Sequence, residues 1–447
     1  MHMTRRLIHI REGVAAAGIT GACIGFVNPL ESEVNQMNLT TLFVGIDVSK
    51  TQNAVRFMDG GGETLSLFTV PNNADGAAKL QEKLRHTLLH TDYSKVAIGM
   101  ESTSVYADHL AAYLRNDEFL RKWECAVHVI NAKNIKNFKT SYPELPKTDN
   151  IDTLIIADFL RFGRIPKSTG HDEKFLALRN LTRARFQAAQ NLSREKTRFV
   201  ETLFQKFSTL DSAKVFSNTF GATFLAVACE FLTVDDIIYT PINELATFVN
   251  QKGKGKFADP EAVAVALQAA ARSSYRIPKT VNDSLNQLLA IRLVGIRSIE
   301  EQIKSLDKAI EAYMGAFQNV LISVSGIGSV YSAGIMAEVG DINRFAGQAA
   351  LAKYAGLAWS KHQSGDFNAA NTKMIASGNK YLKYYLLEAA NKVRMHDTEF
   401  ARFYRLKHRE VPKHQHKRAL ALTARKLVRL VYSLLSANRL YTPPEMR

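Results

Sequence analysis

From residue 40 the chain alternates between short apolar runs and segments of helical spacing. TLFVGIDVSK is an apolar run of strand length that ends in Asp47. NAVRFMD and ETLSLFTV follow it, parted by GGG, and read as a hairpin-like meander. DGAAKLQEKLRHTLLH sets its apolar residues at helical spacing behind an Asp cap. KVAIGMEST is a further strand and delivers Glu101. VYADHLAAYLRND reads as a helix and ECAVHVIN as a strand. KTDNIDTLIIADFLRFG is then a helix with Thr148 or Asp149 as its N-cap. Asp149 and Asp152 stand three apart in its first turn, on one face. The alternation predicts an α/β domain over residues 40–168.

Beyond that domain the period becomes helical. DEKFLALRNLTRARFQAAQNLSREKTRFVETLFQKF and NDSLNQLLAIRLVGIRSIEEQIKSLDKAIEAYM carry heptad-like apolar stripes. They read as antiparallel coiled-coil arms over residues 172–318, with a smaller helical insert at 206–280. Most of their charges belong to solvated faces, although Arg179, Arg183, Arg185 and Arg194 are candidates for phosphate contact. A mainly α C-terminal domain over 320–435 opens on LISVSGIGSVYSAGIMAEVGD. Its Gly326-Ile327-Gly328 resembles a helix-hairpin-helix turn, where glycines let backbone N–H groups approach a phosphate. An ordinary glycine turn explains the same residues equally well. ALALTARKLVRLVYSLL is a helix with an apolar face and Arg425, Lys426 and Arg429 beside it, suited to tracking a nucleic-acid backbone. Residues 436–447 form a tail.

Composition narrows the partners. The 447 residues are 46% hydrophobic, enough for two or three globular domains. The formal net charge of +16 points to a polyanion, nucleic acid first. Residues 401–447 hold 12 Lys or Arg against 2 Glu, so most of the excess lies there. Cys23, Cys125 and Cys229 form no CxxC and read as small buried residues in a reducing cytoplasm. His408, His414 and His416 lie in a basic run without zinc-ligand spacing. The first 36 residues set basic residues before an apolar run, as a weak secretory signal does, and otherwise read as an upstream extension without a role in the fold, with Met37 as a natural start. Their apolar run is too short for a membrane span, and no membrane partner is expected.

Two strand-end acids and a helix-start pair can converge on one crevice of a sheet-plus-helix domain. Four carboxylates there would repel strongly unless a divalent cation sat among them, and oxygen ligands of this kind suit Mg²⁺ or Mn²⁺. In order, GIDVSK, GMESTSVY and KTDNID resemble the motif set of the insertion-sequence transposases of the DEDD class. The resemblance covers about residues 42–435 and implies an RNase H/RuvC-like nuclease domain. It assigns Asp47, Glu101, Asp149 and Asp152 to a catalytic, metal-binding site; Asp158 is a helix-surface acid off that face. The later YAGLAWSKHQSGDFN…SGNKY resembles the second domain of the same family, which reads as AGL, then SG, then a Gly-Asn pair ahead of a helix. By that resemblance Ser364 is the nucleophile that bonds to DNA, with Ser325, Ser332 and Ser360 as rival hydroxyls.

The family resemblance further implies DNA as substrate, a non-coding bridge RNA as guide, and a homodimer or homotetramer. It places the protein in the cytoplasm, at the nucleoid. A site-specific DNA invertase would share this architecture. A hydrolytic junction nuclease would use the four acids without the serine, and a decayed, non-catalytic binder would not retain all four acids.

Overall fold

The computed structural model describes residues 40–102, 105–142, 148–163, 173–360, 363–364, 367–368 and 374–443. The expected extension at 1–36 lies outside them, as do the side chains of Asp149 and Ser364. The chain divides at residues 168/169 into two units.

In the first unit the apolar run Thr41–Val48 is strand β1. Gln52–Met58 (β2) and Thr64–Pro71 (β3) return beside it as the antiparallel meander the pattern predicted. Helix α1 (Ala74–Leu89) leads to β4 (Lys95–Glu101). Helices α2 (Tyr106–Arg115) and α3 (Glu118–Arg121) precede β5 (Cys125–Ile130), and α4 (Ala132–Lys139) and α5 (Asp149–Arg161) complete the unit. The sheet order is β3-β2-β1-β4-β5, with β4 parallel to β1 and β5 parallel to β4. This mixed sheet, followed by a mainly helical remainder, bears out the RNase H/RuvC-like expectation. The α1 cap differs: Asn73, not Asp75, accepts the helix-start N–H, and Asp75 sits in the first turn.

Alternation along β1 divides its side chains between two cores. Leu42, Val44 and Ile46 join Leu80, Leu84 and Leu88 of α1 and Leu110 and Leu114 of α2. Phe43 faces the other way, into a core with Ile155, Ile156 and Leu160 of α5. Gly45 and Asp47 share the parity of Phe43 and therefore the α5 side of the sheet.

The second unit opens with two long helices, α6 (Glu173–Lys206) and α11 (Lys279–Met314). Between them lie α7 (Ala222–Glu230), α8 (Val234–Tyr239), α9 (Ile242–Lys252) and α10 (Pro260–Ser273). These helices share one core with the long pair, through Phe199, Leu203, Leu289 and Leu293. A second core gathers α12 (Ser329–Val339), α13 (Gln348–Tyr354), α14 (Lys380–His396), α15 (Thr398–Arg409) and α16 (Gln415–Ala437). Leu178 and Ile310 of the long helices enter it too.

Three of the four arginines that were candidates for phosphate contact have partners inside this unit. Arg179 donates to the carbonyl of Ala337 at 3.0 and 3.1 Å. Arg183 forks onto Glu338 at 2.6 and 2.9 Å, and Arg185 pairs with Asp307. Arg194 is exposed. Cys125 and Cys229 are free and half-buried rather than buried, and burial pushes the Cys125 thiol up to about 12. Among the described residues no helix is long and apolar enough to cross a membrane.

Candidate active site

Two glycines bring the acids together. Gly45 of β1 pairs in register with Gly99 of β4, at the centre of the face that α5 covers. A methyl group on Gly45 would stand 2.2 Å from the Thr153 carbonyl oxygen and 2.7 Å from the Ala157 nitrogen, both backbone atoms of α5. A methyl on Gly99 would meet the Leu160 side chain at 2.9 Å. The helix therefore lies on the sheet at backbone distance, which only a residue without Cβ permits. Each glycine stands two residues before an acid, in GID and GME, so Asp47 and Glu101 emerge on the same face just beyond the covered part. The start of α5 reaches them there.

That start is held in place. Thr148 is the N-cap, its hydroxyl accepting from the Ile151 N–H, and Asp149 is the first helical residue. Arg56 of β2, in register with Gly45, is buried and donates to the Asn150 carbonyl at 2.9 Å and to the Thr153 hydroxyl at 3.3 Å. Alanine at Gly45 must push α5 off the sheet against these ties. The expected cost is at or above the roughly 1–3 kcal/mol usual for overpacking. Chemical denaturation of the variant checks this; an unchanged midpoint would show that α5 does not dock as described.

Glu101 stands within electrostatic reach of Asp47 and Asp152. Its pKa is raised above the usual carboxylate range, first by burial, then by Asp47 and Asp152, while Lys139 opposes the shift. Lys139, the last residue of α4, donates to Asp152 at 2.6 Å. The site thus holds an excess of negative charge with one ammonium at its edge. Asp158, expected at the surface, is instead largely covered: it accepts from Tyr142 and from Arg161, the latter at 2.7 Å.

Among the described residues no group of three Asp, Glu, His or Cys side chains is closed tightly enough to hold an ion as it stands. The donors nevertheless fit a divalent cation in kind and charge. They are carboxylate oxygens, their mutual repulsion is what a cation relieves, and an ammonium already serves Asp152.

Ser364 lies in the second unit on a narrow two-stranded excursion. Gln363–Ser364 (β6) pairs with Phe367–Asn368 (β7), Ser364 opposite Phe367. Lower on the stem, Trp359 bridges Met374, and the Ile375 N–H donates to Ala358 at 2.9 Å. At the base Gly378 touches Gly356, where a Cβ on Gly378 would come within 2.5 Å of the Gly356 Cα. Of the rival hydroxyls, Ser332 is fully buried and donates to the Ser329 carbonyl. Ser325 is exposed, and Ser360 is half-buried.

The glycines of the GIG turn part company. Gly326, at φ +97°, packs so close to α14 that a Cβ would meet the Val393 nitrogen at 2.8 Å, so its lack of a side chain serves packing. Gly328 caps α12 with open space beyond it. On the basic tail, Lys426 is engaged by Glu399 at 2.6 Å, Arg425 is half-buried and Arg429 is exposed. Arg402, Arg405 and Arg409 line the exposed side of α15, a set that the 3.6-residue period of FARFYRLKHR would have marked.

Comparison with known proteins bears on both regions. Residues 44–208, which include all four acids, match a family model described as a transposase, of the DEDD type of IS110. Residues 318–405, which include Ser364, match the transposase family IS116/IS110/IS902. An uncharacterized 44.8 kDa protein of insertion element IS116 from Streptomyces clavuligerus is 26% identical over 412 residues, covering 90% of this chain and 96% of that protein.

Proposed function

This chain belongs to the IS116/IS110/IS902 family of transposases, enzymes that act on DNA, and from that premise we propose how it cuts and rejoins strands. The observation that carries the reading is the placement of Asp47 and Asp152 within electrostatic reach of Glu101, whose charge they disfavour. Asp47, Glu101, Asp149 and Asp152 would hold Mg²⁺ or Mn²⁺. That ion supplies neutralisation of the charge that develops on a phosphate in transfer. The chain's own residues do the rest. The Ser364 hydroxyl attacks phosphorus; a P–Oγ bond forms, and the bond to the leaving sugar oxygen breaks. The serine proton passes to a base, and the leaving oxygen departs as a hydroxyl. A hydroxyl of another strand reverses the step and restores the serine. The phosphodiester energy is conserved throughout, so rejoining needs no ATP.

A bridge RNA that selects the DNA ends, and assembly as a homodimer or homotetramer with the acids and the serine paired across subunits, complete the proposal. Its test is product analysis. Duplexes carrying an element end and a target should give joined strands in Mg²⁺ and none in EDTA. Only hydrolysed ends, with no joined product, would replace strand exchange by simple nuclease action.

Nucleic-acid phosphates are assigned to the open N-terminus of α12 at Gly328 and to the exposed cations of α15 and α16. Binding to duplex DNA weakens with salt at a log–log slope of about −0.9 per neutralised phosphate. Changing Arg402, Arg405 and Arg409 to Gln should flatten that slope by up to about three units, at roughly one per lost contact. A slope that stays put returns these residues to the solvated surface.

A further inference from the structure

Glu338 is fully buried, and it lies one residue from the C-terminal end of α12, where the helix dipole also disfavours an acid. Its charge is held by Arg183 at 2.6 and 2.9 Å and by the Asn379 amide at 2.6 Å, with Arg179 at 3.9 Å. Buried ion pairs of this kind are often replaceable by apolar side chains without loss of stability. What this one specifies is visible in the partner it engages.

Asn379 is the point where the Ser364 excursion returns to the body of the unit. Its backbone N–H donates to the Tyr354 carbonyl at 2.7 Å, tying the end of the excursion to its beginning. Its amide nitrogen also donates to the Tyr354 hydroxyl at 3.1 Å. Its side-chain oxygen caps α14, accepting from the Tyr381 and Leu382 N–H groups at 3.0 Å each. Arg183, already on Glu338, lies over the Tyr381 ring, and Arg344 lies over the Tyr354 ring while donating to the Glu338 carbonyl at 3.1 Å. One buried carboxylate thus gathers α12, α6, the end of α13 and the start of α14 around the two feet of the hairpin.

We propose that Glu338 and Asn379 are positioning residues: together they fix the two feet, 354–360 and 374–379, from which Ser364 is presented. The proposal rests on Ser364 being the nucleophile. Asn379→Ser tests it. Serine caps a helix about as well as asparagine, so α14 keeps its cap, while the amide that reaches Glu338 and Tyr354 is lost.

Three readouts are taken together. The melting temperature should stay near that of the parent. Exchange of the Ile375 amide hydrogen, which reports the stem, should accelerate tenfold or more. The single-turnover rate of serine–DNA adduct formation should fall tenfold or more, with the dissociation constant for DNA unchanged. Tyr354→Phe, which leaves the Glu338 ion pair intact and removes only the hydroxyl that the Asn379 amide reaches, should move the same two readouts in the same direction by a smaller factor. It decides the matter if the first variant does not fold. Unchanged exchange at Ile375, or faster exchange with an unchanged adduct rate, overturns the proposal. If the parent itself forms no adduct, it is the nucleophile assignment that fails, and the Ile375 exchange still decides whether the feet are clamped.

Discussion

Glutamine at Glu101 should lower strand cleavage in Mg²⁺ by about three orders of magnitude, roughly 4 kcal/mol at the transition state, and should stabilise the metal-free protein. The two effects share one cause. Glu101 is half-buried beside Asp47 and Asp152, and its ionised form is disfavoured by burial and by both neighbours. The glutamine side chain fills the same space without a charge. The mutual repulsion falls and Lys139 remains on Asp152, so unfolding in EDTA should occur at a higher temperature. Screening at so open a site keeps the gain small, about 1 kcal/mol. Activity moves the other way, because the cation proposed for Asp47, Glu101, Asp149 and Asp152 would lose one of its four carboxylates. Stability given up for a charged site is a common trade in enzymes. Thermal unfolding in EDTA and cleavage rates in Mg²⁺, measured on the same preparation, check both halves. A variant that is less stable and still cleaves would show that the cluster is a structural ion network.

The acids were legible in the sequence because each follows a recognisable element. Asp47 and Glu101 sit at the ends of apolar strand runs, and the Asp149–Asp152 pair sits behind a Thr cap. Their meeting was not legible from spacing, since convergence depends on the close approach of α5 to the sheet. The signal for that approach was present in GID and GME: a glycine two residues before each acid clears the same face. Arg56 and Lys139 escaped notice because one basic residue in a strand and another at a helix end look like any solvated cations in so basic a chain.

The same blindness worked in reverse on the long helix α6. Arg179, Arg183 and Arg185 look like any cations of a long charged helix, yet their partners Ala337, Glu338 and Asp307 lie more than 120 residues away in sequence. Local pattern holds no record of such pairings. The pairing of Lys426 with Glu399, on the preceding helix, was hidden for the same reason. Ser364 stood out only through the resemblance, because a Ser-Gly pair in the sequence is ordinary turn chemistry.

The strand rejoining proposed for Ser364 can be caught in the act. A nicked duplex that loses its leaving strand after the first transfer cannot complete the second, so the P–Oγ bond persists. The parent protein should give a protein–DNA species that survives denaturing electrophoresis in Mg²⁺, and peptide mapping should place the DNA on Ser364. Ser364→Ala should abolish that species and all joined products while leaving DNA binding intact. If Ser364→Ala cleaves and rejoins DNA at the parental rate, the serine is a turn residue and the hydroxyl that attacks the phosphate lies elsewhere.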